Sequence, residues 1–196
     1  MAMKDILVVG VGGQGTLLAS RILGALFAGR GYDVKLSEVH GMAQRGGSVV
    51  TYVRAGETVA SPLVSKGEAD LVIAFEELEG LRWAPVLKKD GVLIVNTQQI
   101  APMPVITGAQ KYPENIIESL KENGVRVVAF NALEAANKAG SVKAVNTAIL
   151  GVSSKYLDFT DAEWDNAFES TIKPKFLELN RNAFLLGREM SVRNEA

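Results

Sequence analysis

The sequence predicts an α/β fold: an open, mostly parallel sheet with helices on both faces and a helical C-terminal segment. Two observations lead there. Short unbroken apolar runs, which read as strands buried on both faces, alternate with segments of helical period. After Asn131 the strand pattern stops and the remainder reads almost wholly as helix. Size bounds the prediction: 196 residues, 47% of them hydrophobic, suit one domain over 1–190 and a short loose tail, 191–196.

The first strand is Ile6–Val9, which runs into Gly10-Val11-Gly12-Gly13-Gln14-Gly15. Thr16–Ala28 follows as a helix with Leu17, Leu18, Ile22, Leu26 and Phe27 at helical spacing, and Gly29 and Gly31 as stop signals. Asp33–Val39 is a second strand. His40–Gly47, without a period, is a loop, and the weakly alternating Ser48–Arg54 is a third strand. Leu71–Phe75 and Val92–Asn96 are buried strands separated by a helix over Glu77–Leu87. Pro102 and Pro104 mark a connector or an edge strand. Pro113–Asn123 reads as helix, Val125–Phe130 as strand, and Leu133–Lys138, Val142–Leu157, Asp161–Phe168 and Lys173–Glu189 as helices. Thr160 with Glu163 forms a capping-box pattern before the third of these.

Composition removes whole classes of chemistry. With 21 basic and 22 acidic side chains the net charge is −1, against a clustered basic face for nucleic acid. There is no cysteine and one histidine, His40, so a thiolate-held cluster, a thiolate zinc site, a cysteine nucleophile and a histidine zinc triad are all out of reach. No charged leader precedes Ile6–Val11, and no run approaches the roughly 18 apolar residues of a membrane span, so a cytoplasmic location without membrane contact is expected.

In open sheets of this kind, ligands bind outside the carboxyl ends of the strands. Gly10, Gly12 and Gly15 fit G-x-G-x-x-G between a strand and a helix, with Gly13 and Gln14 inside the motif. Such a loop either presents backbone N–H groups to a phosphate or is a tight turn without a ligand. Glu38 stands near the place, about 20 residues on, where a dinucleotide fold needs an acid for the ribose. A free-standing NAD- or FAD-dependent oxidoreductase is therefore one reading. His40 is a candidate general base, or a hydrogen-bonded loop histidine. Arg45 suits a phosphate or carboxylate, with room left by Gly46 and Gly47, or makes a surface ion pair. Glu76, Glu77 and Glu79 read as acid–base or metal carboxylates or, more simply, as first-turn charges at a helix N-terminus. Asn96 and Asn131 suit capping, and Asn146 needs either a packing bond or an interface partner. No P-loop and no G-x-S-x-G elbow is present.

Three stretches together carry a resemblance: Gly10–Gly15, then Ser37–Val49 with His40-Gly41-Met42-Ala43-Gln44-Arg45-Gly46-Gly47, then Ala144–Gly151. In this order they resemble the gamma module of the 2-oxoacid:ferredoxin oxidoreductases, and in particular its indolepyruvate branch, where the module is the beta subunit. The resemblance runs from about Lys4 to Glu189. It implies a Rossmann-like module in a larger enzyme that decarboxylates a 2-oxoacid, here an arylpyruvate such as indolepyruvate. The products would be the acyl-CoA, CO2 and reduced ferredoxin. Thiamine diphosphate, magnesium and iron–sulfur clusters are then expected in a larger alpha subunit. This chain lacks cysteine, and its Lys89-Asp90-Gly91 only half matches the Gly-Asp-Gly opening of a diphosphate site. The chain would complete the partner's active site, with Gly10–Gly15 toward CoA phosphates or a partner segment and Gln44, Arg45, Gly46, Gly47 and Asn146 at the junction. The same module acting on 2-oxoglutarate or branched-chain 2-oxoacids, and a non-catalytic assembly subunit, are the other expectations.

Overall fold

A computed structural model describes residues 3–41 and 46–193. In chain order the elements are β1 (Lys4–Val11), α1 (Thr16–Gly29), β2 (Asp33–His40), β3 (Ser48–Gly56), β4 (Ala69–Ala74), α2 (Glu77–Trp83), β5 (Leu87–Asn96), α3 (Met103–Ile106), α4 (Ile116–Glu122), β6 (Arg126–Phe130), α5 (Ala132–Ala139), α6 (Val145–Ser153), α7 (Asp161–Thr171) and α8 (Leu177–Arg193). The six strands form one sheet in the order β2-β3-β1-β4-β5-β6.

β1, β4, β5 and β6 are parallel, whereas β3 is antiparallel to both of its neighbours, β1 and β2. β2 thus runs in the direction of β1, but β3 lies between them. Val11 pairs with Ser48 and His40 with Val49, so β3 starts where β1 and β2 finish. The carboxyl ends of β1, β2, β4, β5 and β6 share one rim.

The continuous apolar runs arise because the sheet is covered on both faces. Ile6, Val8, Ile73 and Ile94 face α1 and the C-terminal helices α5–α8. Leu7, Val9, Val72, Leu93 and Val95 face α2 and α4. Burying each such side chain stabilises the fold by about 1.5–3 kcal/mol. The first face is anchored by Phe27, Phe159, Trp164, Phe168 and Phe184; the Trp164 and Phe184 rings lie 4.8 Å apart. α6 and α8 cross backbone to backbone: a Cβ on Gly151 would stand 2.0 Å from the Phe184 carbonyl oxygen, and one on Gly187 2.0 Å from that of Ala148. Among the described residues no helix is long and apolar enough to cross a membrane.

Several boundaries differ from the sequence expectation. The helix expected over Glu77–Leu87 ends at Trp83, followed by a 3-10 turn over Ala84–Val86. Pro85 has no N–H to continue the ladder and crowds the preceding turn. β5 begins at Leu87, paired with Ala69, before a register shift leads to the Leu71–Val92 pairing. The segment at Pro102 and Pro104 is a one-turn helix, not an edge strand. α4 starts at Ile116, later than Pro113, because Asn115 takes a left-handed conformation (φ 54°) as its N-cap. The Val142–Leu157 segment divides into a 3-10 turn, α6 and a second 3-10 turn. α8 continues to Arg193, into the stretch expected to be a loose tail; 194–196 lie outside the described residues. Thr160 and Glu163 make the expected capping box on α7.

Candidate functional site

The glycine loop joins β1 to α1 at the rim. Gly13 (φ 99°) and Gly15 (φ 85°) occupy the left-handed region, where a side chain is strained, and Gly15 is the N-cap of α1. The Gly12 N–H donates to the Gly47 carbonyl at 2.9 Å, tying the loop to the entry of β3. Gln14 folds back over the sheet. Its Oε1 accepts from the Val11 N–H (2.7 Å), and its Nε2 donates to the Phe75 carbonyl (2.9 Å) and to Gln98 Oε1 (3.2 Å).

A cleft lies on either side of this loop. The smaller, about 240 Å³, is lined by Gly12, Gly13, Thr16, Glu38, His40 and Val49 among others. The larger, about 500 Å³, is lined by Gln14, Gly15, Gln98, Leu133, Lys143 and Asn146 among others. Asn146, 5% exposed, is held by α6 so that its Nδ2 stands 2.9 Å from where a Gly15 Cβ would be. Its Oδ1 accepts from the Thr147 N–H. Lys143 adds a cation with no ion-pair partner among the described residues. Only the turn before α6 brings it to the loop, a placement that no local sequence pattern signals.

The remaining candidates separate into four groups. Glu38 and His40 line the smaller cleft from the end of β2. His40 belongs to that strand, not to the loop expected from His40 onward. It is exposed, and its Nδ1 lies 3.4 Å from the Gly41 carbonyl oxygen. Glu38 accepts from Thr51 Oγ1 at 3.3 Å. Because β3 is inserted, β2 stands two strand spacings from β1, about 10 Å, and not in the adjacent place from which a ribose-binding acid would work. Gln44 and Arg45 lie outside the described residues; Gly46 takes a φ of 78° and Gly47 receives the Gly12 bond.

The third group is the acidic stretch after β4, which the fold uses internally. Glu76 is the N-cap of α2, accepting the Glu79 N–H at 2.9 Å, the Ile100 N–H at 3.0 Å and the Tyr112 hydroxyl. Glu77 accepts from Gln99 Nε2, and Glu79 from the Ser48 hydroxyl and Arg82. Burial raises the pKa of Glu79 against the lowering pull of Ser48 and Arg82. Burial, with the Glu76 carboxylate, also raises that of Tyr112. These are satisfied helix-start charges, and no three His, Asp or Glu side chains among the described residues are grouped to hold a metal. Asn96 and Asn131 are caps: Asn96 Oδ1 accepts the Ala132 N–H and Asn131 Oδ1 the Glu134 N–H.

Several apolar side chains at or near the rim are exposed, as Leu36, Leu63, Phe176 and Leu185 are elsewhere on the surface. Leu17, Val39, Met103, Ile106, Leu133 and Val142 are each at least 39% exposed. Leu17, Leu133 and Val142 line the two clefts beside the glycine loop, Val39 lies at the end of β2, and Met103 and Ile106 lie on α3, beyond the end of β5.

A family model described as pyruvate ferredoxin/flavodoxin oxidoreductase matches residues 5–190. The indolepyruvate oxidoreductase subunit IorB of Archaeoglobus fulgidus is 42% identical over 192 residues, covering 96% of this chain and 95% of that protein. Its namesake from Thermococcus kodakarensis is 37% identical over 194 residues, covering 95% of each. Among solved structures, the gamma subunit of a keto/oxoacid ferredoxin oxidoreductase from Geobacter sulfurreducens superposes with a TM-score of 0.70 at 25% identity, over 97% of this chain and 99% of that one. The 2-oxoglutarate:ferredoxin oxidoreductase of Magnetococcus marinus, with 2-oxoglutarate, coenzyme A and succinyl-CoA bound, shares the fold at a TM-score of 0.67 and 17% identity. There 97% of this chain matches 31% of a longer polypeptide.

Proposed function

This chain belongs to the pyruvate ferredoxin/flavodoxin oxidoreductase family, and from that premise we propose that it is the cluster-free subunit of an indolepyruvate:ferredoxin oxidoreductase. The overall reaction converts an arylpyruvate and CoA to the aryl-acetyl-CoA and CO2, with the electrons leaving to ferredoxin. Thiamine diphosphate with its magnesium, and the iron–sulfur clusters, would reside in a larger alpha subunit and supply the decarboxylation and electron-transfer chemistry. This chain has no thiolates to hold a cluster.

The observation that carries the reading is exposed apolar surface beside the glycine loop, where Leu17 lines one cleft and Leu133 and Val142 line the other. Exposed apolar side chains grouped in this way suit a surface covered by a partner subunit. Within that cover the larger cleft suits a phosphate of CoA. Lys143 supplies charge, Asn146 and Gln98 supply polar side chains, and Leu133, Val142 and Val145 form an apolar wall. Arg45, with Gln44, Gly46 and Gly47, would complete the junction from the β2–β3 connection. In this reading the chain binds and orients; bond making takes place on the partner.

Mixing the chain with its alpha partner and following viologen-dye reduction tests this. Activity that requires indolepyruvate, CoA and both subunits is the expected result. A complex that reduces dye equally well without this chain, or only with 2-oxoglutarate or a branched-chain 2-oxoacid, overturns it. Arg45→Ala and Lys143→Ala are each expected to assemble normally and to raise the KM for CoA. For a lost charge-assisted bond the rise is about tenfold.

A further inference from the structure

We infer that Gln14 is a positioning residue, assisted by Asn146, and that the G-x-G-x-x-G pattern of this chain seats two of its own amides in place of a dinucleotide. In dinucleotide folds the missing side chains let a pyrophosphate and the helix approach the backbone. Here both outer openings are filled from within. A Cβ on Gly10 would stand 2.8 Å from Gln14 Oε1, and one on Gly15 2.9 Å from Asn146 Nδ2. At Gly13, by contrast, nothing lies within 4 Å. An external group therefore meets this loop at its crest, where Gly13 lines both clefts, and not at its base.

The Gln14 amide fixes where that crest stands. One acceptor and two donor contacts connect the end of β1 (Val11 N–H), the end of β4 (Phe75 carbonyl) and the segment after β5 (Gln98), which follow three adjacent strands. No other residue type supplies an acceptor and two donors at this reach. Asn96 Nδ2, on the neighbouring strand, donates to the same Phe75 carbonyl at 3.0 Å, so the anchor point is itself held. From the other side Asn146, carried by the tightly packed α6, closes on Gly15. The crest is thus pre-organised before any ligand arrives, which lowers the cost of binding one.

This inference rests on the reading of the rim as the CoA-facing surface, and two readouts on the assembled complex separate the failure of one from the failure of the other. Hydrogen exchange at the Val11 amide is expected to accelerate about tenfold in Gln14→Leu, the worth of one hydrogen bond. Leu18 and Ala19, whose amides bond to the Gly15 carbonyl, should keep their protection. The same variant should raise the KM for CoA by about tenfold, with the KM for indolepyruvate unchanged and the melting midpoint lowered by no more than a few degrees. Gln98→Leu, which removes a single partner of the amide, should move both readouts in the same direction by less. Unchanged exchange at Val11 overturns the inference. So does faster exchange without any rise in the KM for CoA, or a fall in stability and assembly that moves every kinetic constant together. If the wild-type complex shows no CoA dependence, the functional reading fails while the exchange result still decides the role of Gln14.

Discussion

The rim and the α6–α8 layer both depend on glycine, for opposite reasons. At Gly13 the backbone needs a positive φ and the surrounding space is empty. At Gly151 and Gly187 the space is filled by another helix's carbonyl at 2.0 Å from any added Cβ. One glycine leaves a surface open; the other two bring backbones together. The two kinds are alike in the sequence, and only the neighbours distinguish them.

Substitution by alanine should separate them sharply. Gly151→Ala or Gly187→Ala drives a methyl into helix backbone that has no flexible end to yield, and should destabilise by about 3 kcal/mol or more, read from urea unfolding. A loss below about 1 kcal/mol would show that α6 and α8 can slide apart, ending the contrast. Gly13→Ala meets no atom and costs only the left-handed strain, about 1–2 kcal/mol. Its larger effect should be on CoA kinetics, measured in the assembled enzyme.

The smallest expected effect concerns how the helical layer is fastened at its surface. Arg30 makes a two-bond pair with Glu163 (2.5 and 2.8 Å), while Glu163 also serves the capping box. Arg30, then the Thr160 backbone and hydroxyl, lower the Glu163 pKa to about 2 from its usual 4.5. Because the folded value lies below the unfolded one, the contribution is complete above the unfolded pKa and is lost as pH falls from there toward about 2. Melting midpoints of wild type and Glu163→Gln should therefore converge as the pH is lowered through that window. Parallel curves would mean that the pair, lying at the surface, adds nothing measurable.

Much of the architecture was legible because a strand covered on both faces leaves an apolar run that needs no period to be found. Ile6–Val9, Leu71–Phe75 and Val92–Asn96 were visible in that way, as was the all-helical finish. The place of β3 was not. Ser48–Arg54 alternates in the same manner whether it runs parallel or antiparallel, and nothing local says that it inserts between β1 and β2. The glycine loop could be located from its spacing, and so could the caps at Asn131 and Thr160, since each acts on residues within one turn. Gln14 stood inside a recognised motif, but its partners Phe75 and Gln98 are remote in the chain. The approach of Lys143 and Asn146 to Gly15 is likewise a product of packing, to which local patterns are blind.

The insertion of β3 has a consequence for how this fold can diversify. The connection between β2 and β3 is pinned at its feet: the His40–Val49 pairing, a Gly41 N–H to Ser48 carbonyl bond at 3.4 Å, and the Gly12–Gly47 bond all close its base. A hairpin secured in this way can gain or lose residues at its tip without disturbing the register of either strand. The length of this connection is then a variable that evolution can adjust while the sheet beneath it stays as it is.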